Sequence, residues 1–289
     1  MSDHPCSRQR LPFPERKLTR RRVVITGLGI ISPVGNTVEQ AWQNIVAGRS
    51  GIDRVTRFDA SSFPVQIAGE VKNFNVADYL PLKDARRMDT FIHYGMAAGI
   101  QAIKDAGLEA HPANAERIGV SIGSGIGGLP LIETTRDEFV ASGVRKISPF
   151  FVPGSIINMV SGNLSIMYGY KGPNIALVSA CSTGTHSIGD AARLIEYGDA
   201  DIMIAGGAEC TVSPLGLGGF CGGFCGGCCG GFSHWGSRSF CGGFHNRSFH
   251  LGFRHRSLYR RCGGGFSSRS GRFHNRLGLG CFGCVAGSR

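Results

Sequence analysis

Apolar and polar positions along the chain predict strands and helices in alternation from residue 23 onward. The β-branched run at residues 23–25 is typical of a strand buried on both faces, and Gly27 and Gly29 are expected to end it. A helix should follow, capped by Asn36 or Thr37, because apolar residues then recur at helical spacing. Its predicted apolar face consists of Val38, Ala41, Trp42 and Ile45.

The alternation continues through the first 220 residues. A helix is predicted over residues 89–106, followed by a strand over 118–122. A strand over 174–180, a helix around 188–195 and a strand over 202–205 come next. Such units place parallel strands side by side, so we predict an α/β fold with a mostly parallel sheet covered on both faces. The long helix should bury the stripe Ile92, Met96, Gly99, Ile100 and Ile103.

The composition changes abruptly after residue 220. The last 69 residues hold 18 of the 45 Gly and 8 of the 11 Cys, and they contain no Asp, Glu, Lys or Ile. Their 10 Arg account for nearly all of the formal net charge of +11, so the basic character does not belong to the body of the chain. Because the segment has only one Val and four Leu as branched aliphatic residues, we predict that residues 221–289 are a disordered tail.

Three interpretations of this tail are open. The pairs Cys225/Cys228 and Cys281/Cys284 have the spacing of zinc ligands. Arginines interleaved with aromatic residues are typical of RNA-binding segments, although repeated Arg-Gly-Gly units are absent. We favour the third interpretation, translation of a wrong reading frame, because eight residue types disappear together. We therefore expect neither a metal site nor a nucleic-acid partner.

Residues 1–21 form a basic extension that three prolines keep from being helical. We expect it to be disordered and solvated, and the alternative is a mitochondrial or plastid transit peptide. No run of residues approaches the roughly 20 apolar residues that a membrane helix needs. We therefore expect a cytoplasmic protein with no membrane partner.

The candidate nucleophile is Cys181, within the segment Ser-Ala-Cys-Ser-Thr-Gly at residues 179–184. It is expected between a strand and a helix, where the unpaired N–H groups and the dipole of the helix favour a thiolate. A thiolate could attack thioesters, and a backbone N–H nearby could serve an oxyanion hole. The alternative is a small buried core residue. His186 is poorly placed as a base, and we predict a structural or solvent-facing role for it.

A glycine cluster at residues 123–128 fits the dinucleotide-binding pattern Gly-x-Gly-x-x-Gly. It does not open the first strand–helix unit, and no acidic residue ends the next strand about 20 residues on. We therefore predict a tight turn with close backbone packing at this position.

Six segments, at residues 22–29, 122–128, 146–153, 172–184, 198–209 and 213–220, together resemble the β-ketoacyl-acyl-carrier-protein synthase II family. These proteins are condensing enzymes of fatty acid synthesis, and the similarity covers their N-terminal half. The resemblance implies a thiolase-like fold, of which residues 22–220 would form the N-terminal α/β half of a five-layer αβαβα architecture. It also implies a homodimer in which the strand before the nucleophile pairs with its symmetry mate.

The resemblance further implies a reaction. Cys181 would take an acyl group from acyl carrier protein, malonyl-carrier protein would lose CO₂, and the resulting carbanion would attack the acyl-cysteine. No metal or redox cofactor takes part. By matching position, Ile126, Phe151, Gly216 and Phe220 would line or gate the acyl pocket, with Phe151 reaching from the dimer partner.

The family's second half supplies two histidines, a lysine and a glycine-rich Phe loop that are not recognisable in residues 221–289. We therefore expect impaired condensing activity. The alternatives are a non-catalytic subunit that dimerises with a complete synthase, and an Arg/Gly-rich RNA-binding tail on a degenerate domain. Because the similarity stops before the last sheet strand of the first half, we also expect a strand edge without its partner.

Overall fold

The computed structural model describes residues 21–109, 113–225 and 281–288, which form an α/β fold. The strands are β1 (Val23–Ile31), β2 (Ile52–Arg54), β3 (Ile67–Gly69), β4 (Ile118–Gly123), β5 (Asn174–Ile175), β6 (Ile202–Gly207) and β7 (Cys281–Ser288). The helices are α1 (Val38–Val46), α2 (Leu82–Ala85), α3 (Thr90–Asp105), α4 (Leu129–Ser142), α5 (Phe151–Ser155), α6 (Met159–Tyr168), α7 (Thr183–Tyr197) and α8 (Pro214–Cys225).

The main sheet has the strand order β1-β7-β6-β4-β5, and β2 and β3 form a separate antiparallel pair. Strand β4 pairs in parallel with β5 and β6, whereas β7 runs antiparallel to both of its neighbours. Along β6, Ile204 packs into the core that contains α3, while Met203 and Ala205 pack with α7 on the opposite face. Four of the five strands run in the same direction and the sheet is covered on both faces, as predicted, but β7 makes two of the four strand pairings antiparallel.

Helix α3 carries the largest part of the core and confirms the predicted apolar stripe, all five residues of which are buried. The helix begins where the carboxylate of Asp89 accepts the N–H of Phe91 at 3.1 Å, which satisfies one of the unpaired donors of the first turn. At Gly99 an added Cβ would lie 2.6 Å from Cδ1 of Leu164, so α6 approaches this helix closely.

Strand β1 is longer than predicted and runs through both glycines that the sequence pattern marks as its end. Helix α3 crosses so near that a Cβ at Gly29 would lie 2.0 Å from the carbonyl oxygen of Ala98. A Cβ at Gly27 would lie 2.3 Å from the carbonyl oxygen of Ala102. Glycine therefore permits close packing here and does not stop the strand. Burial of the strand's start on both faces is also wrong, because Ile25 is 62% exposed.

Helix α1 begins as predicted but does not bury its apolar face. The hydroxyl of Thr37 accepts the N–H of Gln40 at 3.2 Å and caps the helix. Only Ala41 of the four apolar-face residues is buried, and Trp42 is 63% exposed. Within the described chain this helix therefore presents its apolar side outward.

Residues 281–288 correct the prediction that the whole segment 221–289 is disordered and that a strand edge lacks its partner. They form β7, in which Val285 lies opposite Gly27 of β1 on one side and Ile204 of β6 on the other. Helix α8 likewise continues as far as Cys225. Main-chain hydrogen bonds of a strand do not depend on side-chain identity, so a segment of mostly small residues can fill this position.

Several predictions depend on residues outside the described chain. The zinc interpretation requires Cys228, the RNA-binding interpretation rests mostly on residues 226–280, and the N-terminal extension is described only from Arg21 onward. None of the helices in the described ranges combines the length and apolarity needed to cross a membrane.

Candidate active site

Cys181 lies in a short turn of 3-10 helix, Ala180–Ser182, immediately before the first residue of α7. The preceding strand β5 ends at Ile175, so the extended run predicted over 174–180 is only partly a strand. The thiol is exposed, and the alternative that Cys181 is a buried core residue is therefore wrong. Its position at the N-terminus of a 15-residue helix places its thiol beside unpaired backbone N–H donors.

The backbone next to Cys181 is held in an uncommon conformation. Ala180 has φ of +51°, in the left-handed region that costs a residue with a Cβ about 1–2 kcal/mol. Contacts on both sides hold it there, because the N–H of Ser179 donates to Oγ1 of the buried Thr183 at 2.9 Å. The N–H of Ser182 donates to the carbonyl of Ser179 at 3.1 Å. Backbone strain of this kind is concentrated at active sites and ligand-binding sites, where it fixes the orientation of a side chain.

His186 faces the same turn from the first part of α7. Its Nδ1 lies 2.7 Å from Oγ of the half-buried Ser179, and His186 itself is exposed. The exposed ring thus contacts the turn that carries Cys181, and its structural or solvent-facing role stays a prediction.

The glycine cluster at residues 123–128 packs directly against this turn. A Cβ at Gly123 would lie 2.1 Å from the carbonyl oxygen of Leu177, so only glycine allows β4 to approach the segment before Cys181. A Cβ at Gly125 would lie 3.3 Å from Cα of Ala180. Gly127 has φ of +84°, as a tight turn requires. These distances agree with the predicted tight turn and close backbone packing.

Glu209, which the sequence analysis did not single out, lies at the centre of this arrangement. Its Oε2 accepts the N–H groups of Gly125 at 2.8 Å and Ile126 at 3.0 Å, and Oγ of Ser124 donates to its Oε1 at 3.2 Å. Burial raises the pKa of Glu209, and the hydrogen bonds from Ile126 and Gly125 oppose that rise. A carboxylate just after a buried strand, with a glycine turn at the end of the neighbouring strand, is the sequence signal that could have found it.

The four residues expected to line an acyl pocket occupy different elements. Ile126 lies in the glycine turn that packs against Ala180, next to Cys181, and is 46% exposed. Phe151 begins α5, and its N–H donates to the carbonyl of Ser148 at 3.0 Å. Gly216 and Phe220 belong to α8, and the side chain of Phe220 lies outside what the structure describes. The structure thus brings Ile126 to the Cys181 turn and assigns the other three to neighbouring helices.

The other described cysteine has a different environment. Cys210 is buried, with its Sγ 2.9 Å from Nη1 of Arg57. Burial raises the pKa of the Cys210 thiol, and the Arg57 guanidinium opposes that rise. Cys181 and Cys210 are both free, whereas Cys6 lies outside the described residues. Within the described ranges no group of three or more His, Cys, Asp or Glu is placed to hold a metal ion.

Comparison with known proteins identifies relatives of this arrangement. Residues 20–224 match the family model described as "Beta-ketoacyl synthase, N-terminal domain". A 3-oxoacyl-[acyl-carrier-protein] synthase 2 from Vibrio cholerae is 59% identical over 203 residues, which is 70% of this chain and 49% of the relative. The synthase of the same name from Staphylococcus aureus is 48% identical over 200 residues, 69% of this chain and 48% of the relative. The chain spans about half the length of these curated relatives.

Solved structures show the same fold. A type II polyketide ketosynthase in complex with its acyl carrier protein is 28% identical and superposes with a TM-score of 0.59, over 69% of this chain and 54% of that one. The ishigamide ketosynthase/chain length factor is 30% identical with a TM-score of 0.61, over 70% of this chain and 50% of that one. A β-ketoacyl synthase from Burkholderia phymatum has a TM-score of 0.66 at 24% identity, over 93% of this chain and 59% of that one. The fold is therefore that of the thiolase-like ketosynthases.

Proposed function

The chain belongs to the β-ketoacyl synthase family, and on that premise we propose that it contributes the nucleophile-bearing half of a 3-oxoacyl-[acyl-carrier-protein] synthase. The reaction is the decarboxylative condensation of an acyl-cysteine enzyme with malonyl-acyl carrier protein, which lengthens a fatty acid. The observation that carries the proposal is the exposed Cys181 at the N-terminus of α7, on a turn with a left-handed Ala180.

In the first step, the sulfur of Cys181 attacks the thioester carbonyl of an acyl carrier protein. The carbon–sulfur bond to the carrier breaks, a new bond to Cys181 forms, and the carrier thiol takes up the proton that the cysteine loses. Backbone N–H donors at the start of α7 are suited to stabilise the oxyanion that forms in between. The sulfur then holds the acyl group for the condensation step.

The acyl chain would lie against Ile126, Phe151, Gly216 and Phe220. Support for this assignment comes from Ile126, whose backbone belongs to the turn that packs against Ala180. The partner that delivers acyl and malonyl groups would be acyl carrier protein, since one of the similar ketosynthases was solved with its own carrier protein.

A homodimer is supported by the open edge of the main sheet. Strand β5 ends the strand order and pairs only with β4 among the described strands. Close to it in sequence, Val178 is 56% exposed and Ile166 on α6 is 78% exposed. An unpaired edge beside exposed apolar side chains is suited to pairing with a second copy. The same edge would serve the second candidate function, a non-catalytic subunit that pairs with a complete synthase.

The test is transfer of an acyl group to the full chain from an acyl carrier protein loaded with a saturated fatty acyl chain. We expect mass spectrometry to locate the acyl group on Cys181, with no acylation in Cys181→Ser and none on the buried Cys210. Adding malonyl-carrier protein should yield less condensed product than a complete synthase does, because the recognisable similarity covers about half of the relatives. A folded chain whose Cys181 stays unacylated would exclude the catalytic proposal, and co-elution with a complete synthase would then support the second candidate.

We further propose that residues 22–220 form the synthase domain, after a basic extension over 1–21, and that residues 221–289 come from a different reading frame. The family match, which ends at residue 224, and the change in composition at residue 221 support this division. Sequencing the coding DNA across codon 220 tests it, since another frame should then continue the synthase sequence. The cytoplasmic location stays a prediction.

A further inference from the structure

Glu209 connects three parts of the molecule that are far apart in sequence. It follows β6, whose end pairs with the end of β4 through the N–H of Ala208 and the carbonyl of Gly123 at 2.9 Å. From there its carboxylate reaches the glycine turn and accepts hydrogen bonds from Gly125, Ile126 and Ser124. Convergent N–H groups that meet a carboxylate form strong, charge-assisted hydrogen bonds.

The turn that Glu209 holds is the surface against which the nucleophile's backbone rests. A Cβ added at Gly125 would lie 2.9 Å from Oε2 of Glu209 and 3.3 Å from Cα of Ala180, so Gly125 lies between these two residues. Ala180 stays in a left-handed conformation next to Cys181 only while its surroundings hold it there. The chain of contacts therefore runs from Glu209 through Gly125 to Ala180 and Cys181.

We propose that Glu209 is a positioning residue for the nucleophile, which acts by holding the glycine turn against Ala180 and aims both Cys181 and the pocket residue Ile126. The inference rests on the proposed function of Cys181, and it adds a residue that acts without touching the substrate. Its oxygens are directed at backbone N–H groups and at Ser124, so it is not placed to exchange a proton with an acyl group.

The test measures how fast iodoacetamide alkylates Cys181 in the full-length chain, with each cysteine followed separately by mass spectrometry. In Glu209→Ala the turn loses its acceptor, and we expect the rate at Cys181 to fall about tenfold, since hydrogen bonds to charged groups have energies that correspond to such a factor. In Glu209→Gln the amide oxygen can still accept both N–H groups while its NH₂ donates to Ser124. This conservative variant should bring the rate back to within about threefold of the original chain.

Two internal comparisons separate positioning from a general loss of stability. The alkylation rate of the buried Cys210 reports opening of the fold, whereas the exposed Cys181 reports the turn itself. The matched control is Asp201→Ala, which removes a carboxylate from the opposite end of β6 and should leave the alkylation rate at Cys181 unchanged.

If Glu209→Ala does not fold, Gly125→Ala serves in its place. The new Cβ would press on Glu209 and Ala180 and should lower the alkylation rate of Cys181 to a similar degree.

The proposal is overturned if Glu209→Ala lowers the urea midpoint but leaves the rate at Cys181 unchanged. It is equally overturned if Glu209→Ala and Glu209→Gln both raise that rate, because the carboxylate would then act through its charge. These outcomes do not depend on acyl transfer. A chain that fails to accept an acyl group but shows the expected alkylation pattern contradicts the proposed function and leaves the positioning role intact.

Discussion

The geometry of this site depends on glycines, because neighbouring atoms lie too close to these positions to leave room for a side chain. A side chain at position 123 would collide with the carbonyl oxygen of Leu177. A side chain at position 125 would press on Glu209 and Ala180. On the other side of Cys181, a Cβ at Gly207 would lie 2.9 Å from Cα of Gly184, so the backbone at the start of α7 packs directly on the backbone at the end of β6. Side chains at these positions would move the turn that carries Cys181 out of place.

The same kind of contact makes Gly29 of β1 a sensitive position. In Gly29→Ala the new Cβ would lie 2.0 Å from the carbonyl oxygen of Ala98 and 2.8 Å from the amide nitrogen of Ala102. Both atoms are backbone, so α3 would have to shift, and we expect a loss of about 1–3 kcal/mol or more in the free energy of unfolding measured with urea. The control is Gly189→Ala in α7, which has no atom within 4 Å of its new Cβ and should gain about 0.5–1 kcal/mol. Equal effects of the two substitutions would contradict the close packing of β1 on α3.

At the scale of elements, β4 and β6 are held together at both ends by carboxylates. At the ends where the two strands begin, Arg117 donates to Asp201 at 3.1 Å and 3.0 Å and to the carbonyl of Gly198 at 2.7 Å. At the ends where the two strands finish, the carboxylate of Glu209 accepts hydrogen bonds from the glycine turn that follows β4. The Arg117–Asp201 pair is partly exposed and bears on stability, whereas Glu209 is half-buried and bears on the site.

The pair at the beginning of the strands gives a pH-dependent prediction. Hydrogen bonds from Arg117 and Arg21 lower the pKa of Asp201 from its usual value of 3.8 to about 2. A carboxyl whose pKa is lowered on folding stabilises the fold above its unfolded pKa and loses that effect as the pH falls through the folded value. The stability advantage of the original chain over Asp201→Asn should therefore be full at pH 7 and shrink between about pH 4 and pH 2.

Urea unfolding at a series of pH values measures this difference, which added salt should also reduce because the pair is exposed to solvent. Asp199→Asn is the matched control, since Arg117 contacts the backbone carbonyl of that residue, which the substitution retains. A difference between the original chain and Asp201→Asn that stays constant from pH 7 to pH 2 would show that the ion pair does not stabilise the fold.

At the scale of the whole molecule, the main sheet depends on a strand from the far end of the chain. Strand β7 lies between β1 and β6 and is antiparallel to both, so without it β1 would have no partner in this sheet among the described strands. The sheet that carries the site is therefore completed by a segment that lies beyond the end of the family match at residue 224.

Val285→Pro tests that role, because proline removes a main-chain donor in the middle of β7. We expect hydrogen exchange at the amides of β1 and β6 to become faster, while β4 keeps its protection on the side that pairs with β5. The control is Val285→Ala, which keeps the N–H and should leave exchange at β1 and β6 close to that of the original chain. Unchanged exchange at β1 in Val285→Pro would mean that β7 does not hold the sheet together.

Much of the architecture follows from local pattern. The spacing of apolar residues predicts α3 and its buried stripe. It also predicts β4 and β6 to within two residues, because strands buried on both faces of a sheet are continuous apolar runs. The segment around Cys181 likewise predicts that this residue lies just before a helix, and the structure places it there with its thiol exposed; its reactivity stays a prediction. The family follows from the six motifs that the sequence contains, and the comparison with known proteins confirms it.

What the sequence alone did not determine depends on contacts between distant residues. Glu209 and Gly125 are separated by 84 positions, so no local pattern shows that a carboxylate holds the glycine turn. The passage of β1 through two glycines depends on where α3 crosses it, and the exposure of Trp42 depends on which surfaces the rest of the chain covers. Periodicity reports the two faces of an element, but only tertiary structure decides what each face meets. The same reason explains why β7 was missed, since strand pairing uses backbone groups that every sequence shares.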